Sequence, residues 1–109
     1  MAIQLPAAVA AYIHASNAHD PDGVAACFSA DAVVRDENAL HHGRAAIRAW
    51  THAADLKYAA AMAPLACTPT AAGCLVRAEV AGNFPGSPVQ LDFAFTLEGA
   101  HITALEVTP

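Results

Sequence analysis

Charge is scarce in this chain: Asp, Glu, Lys and Arg make up 14% of its 109 residues, and only five of them are basic. Those five form no run, and ten acids bring the formal net charge to -5. That balance leaves no electrostatic footprint for nucleic acid or an anionic membrane surface, so a neutral or weakly charged small molecule is the expected ligand. Cysteine is also sparse. Cys27, Cys67 and Cys74 share no C-x-x-C spacing, and an odd count fits small core residues in a reducing, cytoplasmic compartment better than a disulfide framework. The sequence holds no nucleophile elbow, phosphate-binding glycine loop or H-E-x-x-H. Covalent, nucleotide-dependent and zinc chemistry therefore lack their usual carriers, and neither metal nor cofactor is expected. The apolar start, MAIQLPAAVAAYIHASNAHD, has no basic leader region, and His14, Ser16 and Asn17 interrupt it before membrane-spanning length is reached. Linkers, repeats and low-complexity tracts are missing too, apart from a general richness in alanine, so residues 1–109 read as one domain with a single core.

Against these gaps stands a hydrophobic content of 56%. So much apolar surface calls for cover from a ligand or a partner subunit, and a homodimer formed through a sheet is the simplest expectation. Residues 5–18 carry Val9, Tyr12, Ile13 and Ser16 at helical spacing behind Pro6, which predicts a helix with Tyr12 on its buried face. Asp20 followed by Pro21 is a cap and first-turn signature for a second, short helix through residues 24–28. After a break at residues 29–31, Ala32, Val34 and Asp36 alternate with Val33, Arg35 and Glu37, so the first three share one face of a strand. Gly43 opens a third helix through about residue 57, with Ile47, Trp50, Thr51 and Ala54 in one stripe and Arg44, Arg48 and Asp55 read as lying elsewhere. From Tyr58 onward the pattern turns to strands at 59–68, 74–80, 89–97 and 102–107, joined by turn-rich segments. Helices first and a meander afterwards give an α+β fold.

Asp36 is the strongest candidate for chemistry. A carboxylate on the apolar face of a strand loses hydration, which raises its pKa and makes it a better acceptor for a proton on carbon. On residues alone the competing reading is a strand-end acid turned to solvent or capping the following loop. Trp50 and Tyr58 either wall a pocket against a flat ligand or serve as core aromatics. His41 and His42 lie between Asp36 and Gly43, where one of them could approach a cavity as an acid or hydrogen-bond partner, although neighbouring histidines rarely point the same way.

The segment NAHDPDGVAACFSADAVVRD, followed by GRAAIRAW, resembles the ketosteroid isomerase and SnoaL-like branch of the NTF2-like superfamily. Members read x-N-A-x-D-x-D-G-x-x-x-x-F-x-x-D-A-x-V-x-D and then G-x-x-A-I-R-x-[WF]. The match is ungapped from Tyr12 to Asp36 and resumes at Gly43. The resemblance implies a cone in which a curved, mostly antiparallel sheet wraps three N-terminal helices around a ligand cavity. It also implies that Asp36 shuttles a proton between carbons of an enone, while Tyr12 stabilises the enolate oxygen from within a dry cavity.

An ungapped count aligns Asp92 with the second oxyanion-hole residue of those isomerases, an acid kept protonated by its apolar site. The strand pleat argues otherwise. Val89, Leu91, Phe93, Phe95 and Leu97 make one apolar face and Gln90, Asp92, Ala94 and Thr96 the other, so an inward Phe93 and Phe95 send Asp92 outward, toward Arg77. The expectation is thus a small, cofactor-free protein that binds a hydrophobic carbonyl compound, with Asp36 and Tyr12 as catalytic residues and Trp50, Tyr58, His41, Phe93 and Phe95 against the ligand. Two alternatives stay open: a binding or interaction module without chemistry, and a dehydratase or cyclase in which Asp36 shares acid and base work with a histidine.

Overall fold

The computed structural model describes residues 3–109. Three helices, α1 (Ala7–Asn17), α2 (Pro21–Ala26) and α3 (Arg44–Tyr58), pack on one face of a six-stranded sheet. Its strands are β1 (Phe28–Asp36), β2 (Ala39–His42), β3 (Ala61–Pro69), β4 (Gly73–Ala81), β5 (Val89–Glu98) and β6 (His101–Thr108), in the order β2-β1-β6-β5-β4-β3. The sheet is mixed: β1 runs parallel to β6 and every other pairing is antiparallel. It curves, since α1 reaches β3 at one edge while α3 packs against β1 and β2 at the other.

Three expectations change. The helices are not one N-terminal block, because β1 and β2 stand between α2 and α3, and the segment before Gly43 that holds His41 and His42, expected as a loop, forms the second arm of a hairpin. Glu37 and Asn38 turn that hairpin with φ of 51° and 63°. Asn tolerates the left-handed region, but a Glu there gives no turn signal in the sequence. The second helix also stops at Ala26, so Phe28 begins a strand and is fully buried.

Much of the motif at residues 17–43 holds the frame. Asn17 at the end of α1 clamps β3 from both sides: its Nδ2 donates to the Met62 carbonyl at 2.9 Å and its Oδ1 accepts from the Met62 N–H at 2.8 Å. Asp20 caps α2 by accepting from the Gly23 N–H at 3.1 Å. Gly43, at φ 88°, turns the chain from β2 into α3 and donates its N–H to the Ala32 carbonyl at 2.8 Å, in a backbone geometry that disfavours any side chain.

The core lies between the helices and the concave face. Val9, Ile13, Val24 and Ile47 meet Ala32 and Val34 from β1, Val76 and Ala78 from β4, Phe95 from β5 and Leu105 from β6. Pleat parity holds unbroken between β4 and β5. Phe93 pairs with Val76 facing inward, whereas the next pair, Asp92 with Arg77, faces outward and closes an ion pair at 3.1 Å. Cys74 is buried and Cys27 and Cys67 pack half-buried against the core. No helix among the described residues is long and apolar enough to cross a membrane.

Candidate functional site

The helices do not fill the concave face. Between α1, α3 and the strands they leave a cavity of about 350 Å³. Sheet and strand-end side chains such as Met62, Val80, Leu91, Phe93 and Val107 give it an apolar lining, Phe84 from the β4–β5 connection adds an aromatic ring, and the polar groups come from α1, α3 and the end of β1.

Asp36 lines this cavity. Strand alternation puts it on the face of the buried Ala32 and Val34, and the strand ends there, so its carboxyl is half-buried and not enclosed. Loss of hydration pushes its pKa above the ordinary aspartate value, helped by the neighbouring Glu37 charge; the hydrogen bond from Trp50 and the proximity of His41 pull the other way. That Trp50 bond runs from indole Nε1 to Asp36 Oδ2 at 3.1 Å and spans α3 to β1. It fixes one carboxylate oxygen, and the Glu37 backbone gives the carboxyl group a further hydrogen bond.

Tyr12 lines the same space and is almost fully buried, with Phe28 and Phe95 edge-on to its ring at centroid distances of 5.9 and 5.5 Å. Burial drives its hydroxyl pKa far above the normal value, and the charges of Asp36 and Asp55 add to the rise. The phenol is therefore neutral over the whole physiological range and available as a hydrogen-bond donor.

Trp50, Tyr58 and Phe93 also line the cavity. Tyr58 donates its hydroxyl to Glu37 Oε1 at 3.3 Å and meets Phe84 edge-on at 5.7 Å. Two other residues, expected against a ligand, are not among those that line the cavity. Phe95 shares the inward face of β5 but lies under Tyr12 and stacks beside Phe93 at 6.4 Å, so it supports the lining from below. His41 sits on β2 with its ring 5.8 Å from that of Trp50, which puts the indole next to the imidazole. His42 is exposed on the same strand.

One site feature escaped the sequence reading. Asp55 lines the cavity together with Thr51, although it was placed off the α3 stripe. Four residues on from Thr51, it is rotated only about 40° around the helix axis, which keeps it on the inner face. Loss of hydration raises its pKa, with His19 and His52 opposing. Neither Thr51 Oγ1 nor Asp55 Oδ2, both buried, makes a hydrogen bond within the protein.

Comparison with known proteins follows the same lines as this geometry. No curated protein matches the chain. Among solved structures, a candidate polyketide cyclase from Sinorhizobium meliloti is 41% identical, with a TM-score of 0.92 over 95% of both chains. A Catenulispora acidiphila protein with a ketosteroid isomerase-like fold, crystallised with trimethylamine, is 20% identical with a TM-score of 0.84 over 97% of this chain and 87% of its own. A Mycobacterium tuberculosis protein solved with estradiol-17beta-hemisuccinate is 17% identical with a TM-score of 0.79 over 95% and 93%. At such identities the last two speak for the fold alone. The model of the SnoaL-like domain matches residues 9–103, and with it the chain belongs to the SnoaL-like family, on an NTF2-like, ketosteroid isomerase-like α+β fold.

Proposed function

We propose that the chain is a cofactor-free proton-transfer enzyme that binds a small hydrophobic carbonyl compound and takes a proton from the carbon next to its carbonyl. The observation that carries this reading is Asp36: a carboxylate with raised proton affinity on the lining of an apolar cavity, held in place by the Trp50 indole. In the reaction the Asp36 carboxylate accepts the proton, and the C–H electron pair moves into an enolate. The neutral Tyr12 hydroxyl donates a hydrogen bond to the enolate oxygen, where the charge develops. Asp36 then returns its proton to the product.

The fate of the enolate separates isomerisation from ring closure. A steroid-isomerase site uses a second acid beside the tyrosine; here Leu91 lines the cavity and Asp92 pairs with Arg77 on the other face of the sheet. One oxygen donor, together with the likeness to a candidate polyketide cyclase, favours attack of the enolate on a second carbonyl of the same substrate. The same Leu91 supports a second reading, a binding module that keeps the cavity without the chemistry.

Deuterium incorporation next to the carbonyl of small bicyclic ketones, followed by proton NMR in heavy water, tests the choice. Asp36→Asn should lower exchange by about 10²- to 10⁴-fold while leaving ketone binding intact. Exchange that is unchanged in the variant excludes the enzyme and leaves the binding module. A second copy covering the outer sheet face, where Leu75 is 36% exposed, completes the proposed particle, and sedimentation equilibrium tests for that dimer. Three free thiols support a reducing, cytoplasmic location.

A further inference from the structure

Thr51 Oγ1 and Asp55 Oδ2 are two buried oxygen atoms, one helical turn apart on α3, that have no hydrogen-bond partner in the protein and belong to residues lining the cavity. Thr51 is only 6% exposed. Burying such groups unpaired costs free energy comparable to a lost hydrogen bond, and more for a carboxylate. The reaction proposed above uses neither. They are therefore placed to be completed by something that enters the cavity.

The lining restricts what that is. Asp36, Glu37 and Asp55 contribute three acids, and among the described residues no lysine or arginine lines the cavity. The groups that oppose the rise at Asp55 are the histidines His19 and His52, both exposed, and His19 is engaged at 3.0 Å with the Ala60 carbonyl. Side chains four apart on a helix have Cβ atoms about 5–6 Å from each other, so one nitrogen can lie within hydrogen-bond distance of both oxygens. A neutral hydroxyl satisfies the same two atoms but brings no counter-charge to Asp55. A protonated amine satisfies the atoms and offsets the charge.

We propose that Thr51 and Asp55 form an ammonium-binding subsite, so that the cavity takes a small apolar carbonyl compound bearing a primary or secondary amine. The amine is anchored on α3, and the apolar body lies along Leu91, Phe93 and Val107 toward Asp36. The carbonyl half of this assignment rests on the function proposed above. The ammonium half does not, because it concerns binding alone.

The test uses the full chain and two probes with the same body, 2-naphthylmethylamine and 2-naphthalenemethanol, with affinities measured by calorimetry at pH 7. The wild-type chain should bind the amine about tenfold or more tightly than the alcohol, the difference expected of a charge-assisted hydrogen bond. Asp55→Asn should erase that preference while the alcohol binds as before, and Asp36→Asn should retain it. A wild-type chain with no preference overturns the proposal, as does a preference that survives Asp55→Asn or vanishes only in Asp36→Asn. A measurement on the wild-type chain guards against a variant that fails to fold: in carboxyl ¹³C titrations, saturating amine should lower the Asp55 midpoint by about one pH unit. An Asp55 midpoint that does not move also overturns it. Loss of proton exchange in Asp36→Asn with the amine preference intact separates the two proposals, since one residue then fails in catalysis and the other in binding.

Discussion

Replacing Trp50 by Phe removes a single hydrogen bond and keeps an aromatic ring on α3. The bond it removes, Nε1 to Asp36 Oδ2 at 3.1 Å, favours the charged carboxylate. A hydrogen bond to a charged acceptor contributes about 1.5–3 kcal/mol. Asp36 is only half-buried and water can take the place of part of the indole, so the lower end of that range applies. About 1.4 kcal/mol corresponds to one pH unit, and the Asp36 carboxyl ¹³C midpoint should therefore rise by about one unit in Trp50→Phe. The sign has a consequence for stability. Because the bond lowers the folded-state pKa, its contribution is present when Asp36 is ionised and is lost as pH falls through that pKa. Urea melts should show Trp50→Phe destabilised more at pH 7 than at pH 3, by about 1 kcal/mol. A midpoint that stays or falls, or a destabilisation equal at both pH values, would refute the idea that the indole tunes Asp36. If Asp36 is the base, the acidic limb of the exchange profile moves up in pH with the midpoint.

Three further outcomes follow from the same contacts. Asn17→Ala should cost about 2 kcal/mol in chemical denaturation, since it breaks both hydrogen bonds to the Met62 backbone and leaves that donor and acceptor half-buried. Asp92→Asn should change the stability of the single chain by less than about 1 kcal/mol and leave proton exchange untouched, because in it the Arg77 pair is partly exposed on the outer face. Asp36→Asn should stabilise the fold relative to wild type as pH rises from the ordinary aspartate value of 3.8: burial raises the folded-state pKa, so the protonated form's advantage is complete below that value and disappears as pH passes the folded pKa. Thermal melts between pH 3 and pH 8 check that order.

How far the candidate site could be read in the sequence depended on the range of the cause. Strand alternation has a period of two residues, so the side of the sheet taken by Asp92 followed from its neighbours Leu91 and Phe93, and the Arg77 ion pair agrees. The cap at Asp20 and the burial of Tyr12 were local in the same sense. β2 was missed because Ala39–His42 is short, contains two histidines and has no alternation, so its existence depends on pairing with β1. Asp55 had a usable signal, its four-residue spacing from Thr51, which was outweighed by its polarity.

The sequence by itself determined the family, the order of most elements and the face on which Asp36, Tyr12, Phe93 and Asp92 lie, because these follow from periodicity and from motif residues that cap, clamp and turn the chain. Only the tertiary structure decided which inward-facing side chains touch open space. Phe93 and Phe95 share one face of one strand, yet α1 lowers Tyr12 onto Phe95 and leaves Phe93 against the cavity. In the same way it set His41 beside Trp50, brought the indole to Asp36 and left Thr51 and Asp55 without partners. A cavity is the volume that several distant segments fail to fill, and no single segment of the chain encodes that shortfall.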